Sequence, residues 1–84
     1  MNNQNDTVYV LLLEWCENSD DGKEIVCATS SRELITAKFH ELVAKGRPGV
    51  ELAKWTIMDD RDDKFFAHGS FPDFVEITIL TYNN

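Results

Sequence analysis

Residues 7–15, TVYVLLLEW, constrain the fold of this chain more than any other segment. Apolar side chains occur on both parities of the segment, at Val8, Val10 and Leu12 on one side and at Tyr9, Leu11, Leu13 and Trp15 on the other. A strand that is apolar on both faces lies in the middle of a sheet, or has its second face covered. The segment therefore predicts an interior strand.

Four further strands are indicated by apolar runs between turn-forming residues, at 23–29, 50–58, 64–70 and 74–82. The turns between them are predicted at ENSDDG (17–22), DDRDD (59–63) and FPD (71–73). The run at 64–70 is the weakest of these strands, and its Gly69 suggests a bulge or a sheet edge. The run at 74–82 alternates, with Val75, Ile77 and Ile79 on one face.

One helix is predicted between the second and third strands. SSRE fits a capping box, with Ser30 as the N-cap and Glu33 three residues later. The helix should run to about Lys45, with Gly46 as the residue that ends it. An apolar stripe at helical spacing is formed by Ile35, Phe39, Leu42 and Val43, with Leu34 beside it.

These elements predict an α+β fold, with one antiparallel sheet and one helix packed on one face in the order β-β-α-β-β-β. The chain of 84 residues is expected to form a single domain over 1–84, with 1–6 frayed. One helix covers only one face of a sheet. We therefore expect either a strongly curled sheet or an open face that meets a partner, a second copy of the chain included.

The net charge of the chain limits the classes of partner that it can bind. Fifteen acids against eight bases give a net charge of −7, which repels nucleic acids and anionic membranes and attracts a basic protein. No apolar run approaches the length of a membrane span. The N-terminal MNNQND lacks the basic and apolar regions of a signal peptide, so a cytoplasmic location is expected.

The segment MDDRDDK places Asp59, Asp60, Asp62 and Asp63 around Arg61. An EF-hand loop would need acids at alternate positions, then glycine and a distal glutamate. Here Arg61 and Lys64 stand where further oxygen ligands would be needed, and no glycine follows until Gly69. Two interpretations remain open. The aspartates are either a solvated hairpin turn, or a charged surface that occupies a basic groove. Asp20 and Asp21 belong to a second acidic cluster, which would join the first if both hairpins pointed the same way.

No catalytic, metal or cofactor site is predicted. Glu14 and Glu76 are the only acids within long apolar strands, and they would approach each other if those strands were neighbours. Cys16 lies among acids, which raise the pKa of a thiol and do not activate it. A disulfide between Cys16 and Cys27 is left open, since neighbouring strands could bring them together.

The first half of the chain, VYVLLLEW…EIVCATSSRELITAKFHELV, resembles a loose group of small acidic proteins of phages and other bacterial mobile elements. The shared features are a first strand of the form YVL-x-x-E, here Tyr9 to Glu14, and an S-x-x-E helix start, here Ser30 to Glu33. The resemblance implies an inhibitor of host defence, including the anti-CRISPR type, which acts by occupying a nucleic-acid-binding surface or by altering assembly. It implies no catalytic residue.

The sequence therefore predicts a non-enzymatic binding protein that inhibits a basic, nucleic-acid-handling partner. The expected contacts are the acids Asp59, Asp60, Asp62, Asp63, Asp20 and Asp21. The aromatic residues Tyr9, Trp15 and Trp55 are a second candidate contact surface or the seam of a homodimer. The alternative is a structural domain that dimerises through its open sheet face.

Overall fold

The computed structural model describes residues 7–17, 20–45, 54–70 and 73–83. Within these ranges the elements are β1 Thr7–Glu17, β2 Asp20–Thr29, α1 Arg32–Lys45, β3 Thr56–Asp60, β4 Lys64–His68 and β5 Phe74–Asn83. The predicted α+β class and element order are confirmed. The expected frayed residues 1–6, Gly46 and the first part of the predicted third strand, 50–53, lie outside the described residues.

The strands form one antiparallel sheet in the order β2-β1-β5-β4-β3. β1 lies between β2 and β5, so the predicted interior position of the first strand is confirmed. β4 is also interior, and the short strand β3 forms the edge beside it. The weak apolar pattern of residues 64–70 therefore did not mark an edge. The irregularity on this side lies in β3, between Ile57 and Asp59.

Both hairpins are tighter than predicted. The β1–β2 ladder continues to the pair Glu17 and Asp20, so the acidic residues assigned to the first turn lie largely in strands. Asp59 and Asp60 likewise pair with β4, which leaves Arg61, Asp62 and Asp63 to make the second turn. Aspartate is disfavoured in strands. A side chain that points into solvent, however, does not prevent the backbone hydrogen bonds of the sheet from forming.

The helix begins one residue later than the predicted capping box required. The Oγ of Ser31 accepts a hydrogen bond of 3.1 Å from the N–H of Leu34, which makes Ser31 the N-cap and not Ser30. Thr29 Oγ1 accepts from the N–H of Ser31 at 3.1 Å, and this bond orients the cap. No helix in the described part of the chain is long and apolar enough to cross a bilayer.

The core lies between α1 and one face of the sheet, over β1, β2 and β5. Its fully buried residues are Leu11, Leu13, Ile35, Phe39, Phe65, Ala67, Val75 and Ile77. The helical stripe predicted from spacing supplies two of them, and Leu42 and Val43 pack at the border of the core. Alternation along β1 and β5 sends every second side chain to this face, as predicted.

Tyr9, Trp15 and Trp55 lie at the border of the core, on the helix side of the sheet. Two glycines make room for the indoles. A Cβ added at Gly22 would come within 2.7 Å of Trp15, and one added at Gly69 would come within 3.1 Å of Trp55. These rings therefore extend the core sideways beyond the helix, and they do not belong to the open face.

The two cysteines are free thiols on different faces of the sheet. Cys27 pairs with Leu11 and packs at the border of the core, whereas Cys16 pairs with Asp21, five residues further along β1. A disulfide needs Cα atoms within about 7 Å and Cβ vectors that converge. The register therefore excludes the Cys16–Cys27 bridge that the sequence had left open.

Candidate functional site: the open face and the acidic turn

The face of the sheet opposite α1 carries an apolar end, which we call the apolar patch. It is formed by side chains from three adjacent strands, at Val8, Val10, Leu12, Ile25, Leu80 and Tyr82. The register sets Val8 opposite Tyr82, Val10 opposite Leu80, and Leu12 opposite Ile25. The solvent face of an antiparallel sheet is normally polar, so this patch needs an explanation.

Several side chains of the apolar patch are well exposed. Ile25 is 66% exposed, Tyr82 57% and Val8 41%. Single exposed apolar residues are ordinary, but a contiguous group is typical of a surface that meets another protein. The parity of residues 7–15 already indicated Val8, Val10 and Leu12 as a second apolar face, and the structure adds the residues that flank them.

A charged row crosses the middle of the open face. Glu14 lies directly opposite Glu76 on the neighbouring strand, so the approach that the sequence analysis made conditional on strand order does occur. Each glutamate has its own lysine. Lys64 Nζ lies 3.1 Å from Glu76 Oε2, and Lys23 Nζ lies 4.0 Å from Glu14 Oε2. The lysines offset the repulsion between the paired carboxylates, which favours a structural role for this row over acid–base catalysis.

The acidic turn, residues 59–63, is organised by Arg61. Its Nε lies 3.2 Å from Asp59 and 3.8 Å from Asp63, so Arg61 neutralises part of the charge from within. The N–H of Arg61 donates to the carbonyl of Lys64 at 2.8 Å, and the carbonyl of Asp63 accepts from the N–H of Ile79 at 2.8 Å. The turn is thereby fixed to β5.

Asp60 and Asp62 are the exposed acids of this turn that Arg61 does not pair with. Within the described ranges, no cation lies at ion-pair distance from either carboxylate. A partner therefore meets two uncompensated charges here, and not four. No group of three or more metal-ligating side chains comes together in the part of the chain that the structure describes.

The two acidic clusters lie at opposite ends of the sheet. Asp21 and Phe74 both pair with Cys16 and so mark one end, whereas Lys64, which follows the acidic turn, pairs with Thr78 further along β5. The hairpins point in opposite directions, so a single surface that combines both clusters does not form. Burial and the nearby carboxylates of Asp21, Asp73 and Asp20 raise the pKa of the Cys16 thiol, as predicted.

On the helix side of the sheet, a cleft of about 400 Å³ opens between α1, the end of β5 and the acidic turn. Its lining brings Arg32 and His40 of the helix together with Asp62 and Asp63 of the turn, and Tyr9 borders it. The sequence analysis assigned Tyr9, Asp62 and Asp63 to a site but missed Arg32 and His40. No local pattern could find them, since strand order alone brings these segments together.

Comparison of the chain with protein-family models, with curated proteins and with solved structures finds no significant match. The resemblance of the first half to small phage proteins therefore stays a prediction, and the function has to be argued from the open face, the acidic turn and the cleft.

Proposed function

We propose that this chain is a non-enzymatic binding protein that covers the surface of a basic, nucleic-acid-handling protein and inhibits it. The observation that carries the proposal is the apolar patch on the open face of the sheet. A chain of net charge −7 has enough acid to keep its surface polar, yet this face exposes Val8 beside Tyr82, and Ile25 beside Leu12 further along β1. A protein partner that buries this patch explains the pattern.

The charge of the chain supports a basic partner. Asp60 and Asp62 are exposed and uncompensated in the acidic turn, with Asp62 on the helix side of the sheet, and Asp21 is exposed on the opposite hairpin. These charges lie outside the apolar patch and act on a partner at longer range. Charges at the rim of an interface steer association and make its rate depend on salt, whereas apolar contacts at its centre supply most of the affinity. The same positive surface on the partner would bind phosphates, which is how this protein would act as an inhibitor.

The experiment uses the immobilised protein to capture its partner from a bacterial lysate, followed by competition with nucleic acid for the purified partner. Leu80→Asp places a charge within the apolar patch, opposite Val10, and should weaken binding by about thirtyfold or more, as loss of an interface hot spot does. Glu41→Gln, on the outer face of α1, is the control and should bind like the wild type.

The charge component is tested by the double variant Asp60→Asn/Asp62→Asn. Its association rate should fall, and the remaining rate should depend less steeply on salt concentration. Wild-type protein should displace nucleic acid from the partner, and Leu80→Asp should fail to do so. Capture and displacement that are equal for the wild type and Leu80→Asp would contradict the proposal.

The second candidate is a homodimer that pairs through the apolar patch. The register favours a homodimer in one respect. The apolar side chains of the patch are grouped on three adjacent strands, so the same patch on a second copy could cover them. Sedimentation at low and high salt distinguishes the homodimer from a protein that binds only a basic partner. A dimer that persists in high salt and is lost in Leu80→Asp would favour self-association, because apolar contacts are not screened by salt.

A further inference from the structure

We propose that the cleft beside α1 binds a small zwitterion of the amino-acid class, with its carboxylate on the helix side and its ammonium group on the acidic turn. This site lies on the opposite side of the sheet from the apolar patch, and it goes beyond the proposed partner binding. It rests on the size of the cleft and on the arrangement of its charges.

The cleft has the dimensions of a small-molecule site. Its volume of about 400 Å³ falls within the range of about 300–1,000 Å³ that ligand pockets occupy. Its lining is mostly polar, and the half-buried Ile79 is its accessible aliphatic residue, since Ile35 is only 1% exposed.

The helix side of the cleft is cationic. Arg32, Thr36 and His40 are four residues apart along α1, so they form one stripe that faces the cleft. Within the described segments, Arg32 makes no ion pair, and its guanidinium keeps the donors that bind a carboxylate in two parallel hydrogen bonds. Arg32 is exposed at the rim, where a ligand reaches it directly.

The opposite side of the cleft is anionic. Asp62 and Asp63 line it, and only Asp63 is paired, with Arg61 at 3.8 Å. Neither carboxylate forms an ion pair with Arg32, although all three side chains border the same space. Opposite charges that face each other across a gap are satisfied together by a ligand that carries both signs.

This arrangement excludes simpler ligands. A phosphate or dicarboxylate would meet Arg32 but would be repelled by Asp62, and a simple amine would be repelled by Arg32. A zwitterion satisfies both sides. Tyr9, Thr36 and Thr81 add hydroxyl groups that donate or accept, and Ile79 offers a contact for an aliphatic side chain.

Isothermal titration calorimetry with the standard L-amino acids, added singly to the full chain, tests the proposal. We expect saturable binding of an aliphatic amino acid such as L-leucine. Two analogues lack one charge each: 4-methylpentanoate has no ammonium group, and 3-methylbutylamine has no carboxylate. Each should bind at least about tenfold more weakly, since each leaves a charged group in the cleft without its partner.

Matched variants locate the site. Arg32→Gln and Asp62→Asn should each weaken L-leucine binding by about tenfold or more, while Lys38→Gln and Glu41→Gln, which lie on the helix outside the cleft, should leave it unchanged. Circular dichroism checks that each variant is folded. The proposal is overturned if no amino acid binds saturably, if either analogue binds as well as L-leucine, or if the controls weaken binding as much as the cleft variants.

Discussion

Replacing Leu11 by aspartate is expected to unfold the domain, whereas replacing its neighbour Val10 by aspartate should leave the domain folded. Leu11 is 0% exposed on the helix side of β1, where a carboxylate would have neither water nor a cation. Burial of an unpaired charge belongs to the substitutions that cost more than about 4 kcal/mol. Few domains of this size are stable enough to tolerate that loss.

Val10 lies on the other parity, within the apolar patch, between Ala28 and Leu80. Its aspartate variant loses packing and strand propensity, which should cost about 1 kcal/mol. Circular dichroism and urea unfolding of the two variants measure the difference. Equal loss of stability in both would mean that the open face is as deeply buried as the helix side, and the apolar patch would then not exist as a surface.

Phe39→Ala is expected to remove about 3–5 kcal/mol from the free energy of unfolding, the typical result of deleting a buried aromatic ring. Phe39 is 1% exposed and lies at the centre of the contact between α1 and the sheet. Within the described residues α1 is the helix over this core, so the neighbouring side chains should fill the cavity only in part. The variant should show a much lower urea midpoint than the wild type, or no folded baseline.

Leu34→Ala is the matched control for Phe39→Ala, because it truncates a large apolar side chain on the same helix. Leu34 is 45% exposed, so its loss should change stability by less than about 1 kcal/mol. Similar unfolding curves for the two variants would contradict the orientation of α1 on the sheet.

The fold class could be predicted because it depends on periodicity, and periodicity is local. Alternation along β1 and β5 separated the two faces correctly, and the spacing of Ile35 and Phe39 identified the buried side of the helix. The start of the helix was missed by one residue. Ser30 and Ser31 both have the right chemistry for an N-cap, and only the backbone geometry, with Thr29 accepting from Ser31, decides between them.

The position of the large aromatics could not be predicted from composition. The sequence analysis offered Trp15 and Trp55 as part of a contact surface or a dimer seam. Each indole instead lies against a glycine, Gly22 or Gly69, which gives it a place beside the core. The glycine across the ladder from Trp15 is seven residues away in sequence, and its register is set by a hairpin whose length the turn residues did not reveal.

The candidate site was predicted in part. Asp62 and Asp63 do form the predicted turn with Arg61, whereas Asp59 and Asp60 lie in β3. The sequence also does not show that Arg61 reaches Asp59 and Asp63. The separation of the two acidic clusters follows from strand order, which sets β1 beside β5 and the hairpins in opposite directions. Predicting the cleft also requires the strand order, because its lining comes from a helix, a turn and the last strand.

The most direct test of the central claim is a map of the residues that the captured partner protects. Amide signals of the labelled protein would be followed by nuclear magnetic resonance as unlabelled partner is added. The account predicts changes along the apolar patch on β1, β2 and β5, together with smaller changes at Asp60 and Asp62. Changes confined to the outer face of α1, around Lys38 and Glu41, would contradict it.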